Sequence, residues 1–205
     1  MGLYADQFVP RLIHYAMRGE KFQELRRGLV GRAKGRVLEI GIGSGLNLPF
    51  YGSEVENVTG IDPSEIGLVL AEKNAKNAPI DVDFIQGGAE QVPASDATYD
   101  TVVSTWTLCS VANVDEVVAE IHRVLKPGGQ FLFLEHGLAT DQGVAGWQNR
   151  LTPLMRKVAG GCHLNRPLDK QIAASSLNID HMETGYLLPG PKPFVNNFLG
   201  SALRN

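Results

Sequence analysis

The chain has 205 residues, 43% of them hydrophobic and 20% charged, which fits one globular domain of ordinary size and excludes a disordered chain. Lys plus Arg number 19 against 22 Asp plus Glu, so no basic surplus exists to release the counterions of a nucleic acid. No apolar run approaches the ~20 residues of a membrane span and the N-terminus carries no signal-peptide core, so the expected setting is cytoplasmic.

Along the chain, strand and helix patterns alternate. Phe8, Leu12, Tyr15 and Phe22 recur at near-helical spacing, widened by Ile13 and Met17, and predict one or two amphipathic helices within residues 1–33. Val37 to Ile40 is a short buried strand ending at Gly41, and Val58 to Ile61 a second ending at Asp62. Pro63-Ser64 then opens a helix carrying Ile66, Leu68, Val69 and Leu70. Val82 to Gln86 alternates as a third strand, and Tyr99 to Thr105 is a fourth. Val114 to Leu125 reads as a helix with Val117, Val118 and Ile121 inward, stopped by Lys126-Pro127-Gly128-Gly129. Phe131 to Glu135 is a fifth strand. Residues 144–159 and 167–177 read as helices, and 180–187 and 194–203 as closing strands. Strands separated by helices pair in parallel, which gives a doubly wound α/β sheet.

In such sheets ligands sit at the carboxyl ends of the strands, near the point where strand order reverses. The first strand here runs into Glu39-Ile40-Gly41-Ile42-Gly43-Ser44-Gly45. Alternating glycines permit a sharp turn and leave no side chain between the loop amides and a ligand. Asp62 lies 21 residues beyond Gly41, where a carboxylate can accept from both hydroxyls of a ribose. The pattern points to an adenosine-containing ligand. A nicotinamide fingerprint needs Gly-x-Gly-x-x-Gly, but Leu46 holds the third glycine's place and Gly45 comes one residue early. Glu39 also sets a negative charge beside the loop, which suits an ammonium and a sulfonium better than a diphosphate. The expected cofactor is S-adenosyl-L-methionine. A nicotinamide-dependent oxidoreductase and a non-catalytic adenosine-binding protein are the remoter readings.

Residues 37–45 resemble motif I of class I methyltransferases, Asp62-Pro63-Ser64 their acidic second-strand end, and Val124 to Gly129 their turn before the fifth strand. The resemblance covers residues 36–136. It implies a Rossmann-like, seven-stranded, mostly parallel sheet with helices on both faces and a reversed final hairpin. It also implies methyl transfer from S-adenosylmethionine to a small-molecule acceptor. The cofactor-binding residues expected are Glu39, Gly41, Gly43, Gly45, Asp62, Pro63, Ala89, Glu90 and Thr105. Many relatives have Gly-Asp-Ala-Glu after the third strand, the aspartate accepting from the adenine amino group. Here Gly88 replaces it in Gly87-Gly88-Ala89-Glu90, leaving adenine to the backbone near Ala89 and to Glu90.

A narrower similarity runs through Gly45 to Tyr51, Thr107 to Val111, Leu134-Glu135-His136 and Gly161 to Arg166. These segments are similar to a methyltransferase-like group that includes membrane-anchored alkyl thiol S-methyltransferases and bacterial phospholipid and quinone methyltransferases. The sequence departs from the anchored members by lacking their hydrophobic N-terminal segment, so their membrane attachment is not expected here.

Methyl transfer to sulfur or nitrogen is an in-line displacement, in which alignment and exclusion of water do most of the work. His136, at the end of the fifth strand, is the leading candidate for a general base or acceptor-orienting group. Its plainer reading is a turn cap or a partner of Glu135. Trp106, with Thr105 and Leu108, follows the fourth strand, where relatives line the cofactor and the methyl-transfer cavity; its aromatic face is a catalytic candidate for stabilising a cation, with ordinary packing as the plainer reading. Cys109 reads as a small buried residue. Cys162 and His163 invite a metal, but no second cysteine pair or acidic cluster completes a site, so no metal is expected. Arg166 suits either an anionic part of the acceptor or a salt bridge at a helix start. His14, His122 and His181 read as structural or solvated.

The N-terminal region carries Arg11, Arg18, Lys21, Arg26, Arg27, Arg32, Lys34 and Arg36 between apolar residues. Residues 1–33 are expected to form a helical lid on a methyltransferase domain of residues 34–205, with contact to an anionic membrane surface as the alternative. The acceptor expected is a thiol or another soft nucleophile. N- or C-methylation of a phospholipid head group or a quinone is the alternative.

Overall fold

The computed structural model describes residues 9–205. Its strands are β1 (Gly35–Ile40), β2 (Val55–Asp62), β3 (Asp81–Gln86), β4 (Tyr99–Thr105), β5 (Leu125–His136), β6 (Leu177–Tyr186) and β7 (Asn196–Arg204). They form one seven-stranded sheet in the order β3-β2-β1-β4-β5-β7-β6. Pairing is parallel from β3 through β5, and β7 runs antiparallel to both its neighbours. The reversed final hairpin expected from the resemblance is therefore present.

The helices are α1 (Val9–Ala16), α2 (Glu20–Val30), α3 (Glu65–Ala75), α4 (Val114–Val124), α5 (Gln142–Val158), α6 (Leu168–Ala173) and α7 (Lys192–Val195). Local chemistry sets their starts. Ser64 caps α3 by accepting from the Gly67 amide at 3.1 Å, and Asn113 caps α4 through the Asp115 amide. In α4, Val114, Val117, Val118, Ile121 and Val124 are all buried, which is the helical period written in valines and isoleucine.

Successive strand residues point to opposite faces of a sheet, and this builds two cores. Leu38, Ile40, Val102, Phe131 and Phe133 pack with α4 and α6 on one face. Val37, Val58, Val103, Leu132 and Leu134 pack with α3 and α2 on the other, where Leu29 and Val30 of α2 are fully buried. Helix α2 is thus part of the core.

Several expectations shift. Phe8 lies outside the described residues. Leu12 and Tyr15 were expected on the inner helix face, yet they are 60% and 71% exposed, and α1 instead meets the glycine loop through His14. The expected helix over 167–177 is shorter, because β6 already begins at Leu177, and α7 precedes β7 where a strand from 194 was expected. Strand β5 begins at Leu125, ahead of the Pro-Gly-Gly turn, and its pairing with β4 slips between Tyr99 and Thr101 at that turn. Among the described residues no helix is long and apolar enough to cross a membrane.

The strand order reverses between β1 and β4. In register, Ile40 lies level with Ile61 on β2 and Ser104 on β4, and Thr105 with Leu134 on β5. The residues one or two steps further on, Gly41, Asp62, Trp106 and Glu135-His136, therefore gather at one edge of the sheet.

Candidate active site

The glycine loop leaves β1 with Gly41 and Gly43 at φ +66° and +52°, in the left-handed region where a side chain is strained. The two positions differ in what surrounds them. A Cβ on Gly41 would lie 2.1 Å from Thr107 Oγ1, whereas one on Gly43 would meet only the Gly41 carbonyl at 3.9 Å. Gly41 is glycine because β4's loop packs on it. Gly43 presents bare backbone to open space. Gly45 turns against Leu48 and Ala71.

Asp62 is buried and ties this loop to α3, its Oδ2 accepting from the Gly43 amide at 2.9 Å and its Oδ1 from the Ser64 amide at 2.8 Å. Burial raises its pKa against those two bonds. A carboxylate has room for about four acceptor contacts, so two remain for other donors.

Glu39 is also buried. Asn47 Nδ2 donates to its Oε1 at 2.9 Å and the Tyr51 hydroxyl to its Oε2 at 2.7 Å. Burial pushes it up to about 7, opposed by these bonds and by Arg26. Asn47 also donates to Thr105 Oγ1 at 3.0 Å, while its own Oδ1 is buried with no hydrogen-bond partner. Sequence reasoning missed Asn47 and Tyr51. Both lie in the Gly45 to Tyr51 segment, but only folding brings that segment back onto Glu39.

Trp106 adopts φ +52°, and its indole donates to Asn197 Oδ1 at 2.8 Å. The Arg26 guanidinium of α2 stacks on the ring at 4.7 Å, and Phe22 packs against it. Burial pulls Arg26 down to about 10, against the attraction of Glu39. The cation on Trp106 is therefore the protein's own.

Glu135 points to the opposite side and is fully buried. Its Oε1 accepts from Ser104 Oγ at 2.7 Å and the Thr107 amide at 3.1 Å, while its Oε2 is buried with no hydrogen-bond partner. It anchors the loop after β4. His136 was expected on an open rim and is instead buried, its Nε2 facing the Pro193 carbonyl at 3.2 Å, and it does not pair with Glu135. The reason is β7 and α7, which close over the end of β5.

Glu90 spends one oxygen on the Ala112 amide at 2.9 Å, holding the entry to α4, and Ala89 sits in the first core. Pro63 is exposed. Arg166 donates to the Leu108 and Val111 carbonyls and so ties the chain before α6 to the loop after β4. His14, expected to be structural or solvated, contacts Ser44 Oγ at 2.7 Å and so sets α1 on the glycine loop. Cys109 is buried as expected.

Residues 38–133, which hold the loop, Asp62 and most of β5, match the methyltransferase domain family. Human thiol S-methyltransferase TMT1A is 32% identical over 172 residues, covering 80% of this chain and 70% of the human protein. The chain belongs to the class I S-adenosylmethionine-dependent methyltransferases. A phosphatidylethanolamine N-methyltransferase of Cereibacter sphaeroides is 37% identical over 111 residues, which is 53% of this chain and 54% of that protein. An S-adenosylmethionine-dependent methyltransferase of Methanosarcina mazei shares the fold, with a TM-score of 0.67 and 21% identity over 84% of this chain and 93% of its own. This methyltransferase spans 62% to 70% of the length of the rat and human thiol methyltransferases it matches.

The residues at the loop fit the family's cofactor. The side chains around it offer acceptors: Glu39, Asp62 and the orphaned Asn47 Oδ1. That set suits a ligand with an ammonium, a sulfonium and ribose hydroxyls, and it repels a diphosphate.

Two buried carboxyls make stability depend on pH. Glu39 and Glu135 are each raised by burial from an ordinary 4.5 to about 7. Between those values the folded chain binds more protons than the unfolded one. Their contribution is thus fully present below pH 4.5 and is lost as pH rises through 7. His14, His122 and His163 are lowered, also chiefly by burial, and act in the opposite sense nearby, so the parent chain alone does not isolate the effect. In urea titrations from pH 4.5 to 8, Glu39→Gln and Glu135→Gln should each decline less with pH than the parent. Parallel curves for parent and both variants would contradict raised carboxyls.

Proposed function

We propose that this chain transfers a methyl group from S-adenosylmethionine to a small, partly apolar thiol. The observation that carries the reading is the similarity to thiol S-methyltransferases over 80% of the chain, which reaches beyond the cofactor half into the segments that follow β5. When bound, the cofactor supplies a methyl on a positive sulfur, so the acceptor needs only to be aligned and partly ionised. A thiol with a pKa near 8.5 meets that need at neutral pH without a strong base.

In this reading Gly43 gives the cofactor close approach to the loop backbone, and Asp62 accepts from the ribose hydroxyls. Glu39, held by Asn47 and Tyr51, keeps negative potential beneath the methionine end, and Asn47 Oδ1 accepts from its ammonium. Thr105 acts through Asn47, as a positioning residue. Glu90 and Ala89 are further from a direct role, because the Ala112 amide holds Glu90. His136, shielded by Pro193, orients the wall beyond Trp106 and reaches an acceptor only if α7 moves. Helix α1, resting on Ser44 through His14, is the part of the N-terminal region that covers the loop.

The second reading, N-methylation of a phospholipid amine, is favoured by the phosphatidylethanolamine N-methyltransferase relative, but that similarity covers about half the chain. The test is a panel of alkyl thiols, amines, quinols and phosphatidylethanolamine vesicles, scored for S-adenosylhomocysteine release. Turnover of thiols above all others is expected. Turnover of an amine, a quinol or the vesicles with none on any thiol would end the thiol reading.

A further inference from the structure

The two cysteines, far apart in sequence, meet in the fold. Cys109 lies on the loop after β4 and is buried, and Cys162 lies half-buried on the turn between α5 and α6. Two backbone contacts hold that turn against the loop, and a third bond closes the turn itself. The His163 amide donates to the Cys109 carbonyl at 2.8 Å, the Cys162 amide to Ala159 at 3.1 Å, and a Cβ on Gly161 would sit 3.2 Å from the Ser110 carbonyl. The two thiols lie close enough to perturb each other's ionisation, the Cys109 thiol also lying 3.6 Å from the Trp106 carbonyl, and the His136 ring flanks Cys162. These are the chain's only cysteines, and among the described residues no group of three or more His, Cys, Asp and Glu could hold a metal.

We propose that Cys109 and Cys162 are a hydroperoxide-sensitive thiol pair that closes to a disulfide within one chain. The two thiols are not equivalent. The neighbouring Cys109 thiol, then His136 and His163, hold Cys162 well below the ordinary thiol range, so it is the thiolate. The neighbouring Cys162 and burial push Cys109 up, so it keeps its proton. Cys162 S⁻ attacks a peroxide oxygen, the O–O bond breaks, and the departing hydroxide is protonated by solvent. Cys162 is then a sulfenic acid, oxidised by two electrons as the peroxide is reduced. Cys109 sulfur displaces the Cys162 hydroxyl, the S–S bond forms, and water leaves with the Cys109 proton. The half-buried sulfur meets the oxidant and the buried one resolves it. The proposal does not depend on the methyl acceptor.

The test exposes the full chain to hydrogen peroxide in about tenfold excess, unfolds it, alkylates free thiols and weighs it. The expected product is about 2 Da lighter than the reduced chain, takes up no alkylating reagent, and recovers both thiols with dithiothreitol. Cys109→Ser should stop at a gain of about 16 Da that a sulfenic-acid reagent traps, and Cys162→Ser should keep its Cys109 thiol. A parent chain that gains about 16 or 32 Da with Cys109 still alkylatable would overturn the proposal. So would a disulfide found only between two chains, or two thiols that both survive the peroxide. The measurement on the parent chain stands even if a variant fails to fold.

Discussion

Gly43→Ala should lose about 100-fold in affinity for S-adenosylmethionine, equivalent to ~2.7 kcal/mol, while the chain stays folded. The added methyl meets nothing of the protein closer than the Gly41 carbonyl at 3.9 Å, so the only folding cost is the left-handed backbone, ~1–2 kcal/mol. The methyl does stand where bare backbone must meet the ligand. Gly41→Ala should behave in the opposite way. Its Cβ would overlap Thr107 Oγ1 at 2.1 Å and Cγ2 at 2.3 Å, which adds an overpacking cost to the same backbone strain. The sum is ~2–5 kcal/mol of stability. Urea titration and calorimetric titration with the cofactor separate the pair. Undiminished binding by Gly43→Ala would show that the loop does not approach the cofactor closely.

Glu135→Ala should be the change that most destabilises the loop after β4, at ~3–5 kcal/mol, because it strands two donors at once. Ser104 Oγ and the Thr107 amide both donate to this one carboxylate, at 2.7 and 3.1 Å. Glu135→Gln keeps an acceptor oxygen and should cost ~1–2 kcal/mol. The alanine variant should also weaken cofactor binding, since Thr107 packs on Gly41 and Trp106 is the neighbouring residue. A loss no larger than that of the glutamine variant would mean that the loop is held by packing alone. His163 and Arg166 provide the comparison, since each bonds a carbonyl of the same loop from outside the sheet.

The sheet was legible because its signals are local. Val37 to Ile40, Val58 to Ile61 and Tyr99 to Thr105 are apolar runs bounded by turns, and α4 writes its buried face at helical spacing. The glycine loop and Asp62 were legible for the same reason, since backbone conformation and strand ends are properties of a few adjacent residues. The hairpin of β6 and β7 was blurred because its strands carry mixed faces: Asn197 and Ser201 are buried, whereas Leu203 is 38% exposed. Helix α1 misled, because Leu12 and Tyr15 are exposed while His14 meets the glycine loop.

By itself, then, the sequence determined the strand order's raw material, the class of cofactor and the position of the site at the ends of β1 and β2. The tertiary structure decided which polar groups meet. It placed Asn47 and Tyr51 on Glu39, Arg26 on Trp106, Pro193 over His136, and Cys109 against Cys162. None of these contacts follows from periodicity, because each joins residues on different elements. Burial then changes their chemistry: a carboxyl that is ordinary in the chain is raised to about 7 once water is excluded from it. Partners and desolvation are set by packing, and packing exists only in the folded chain.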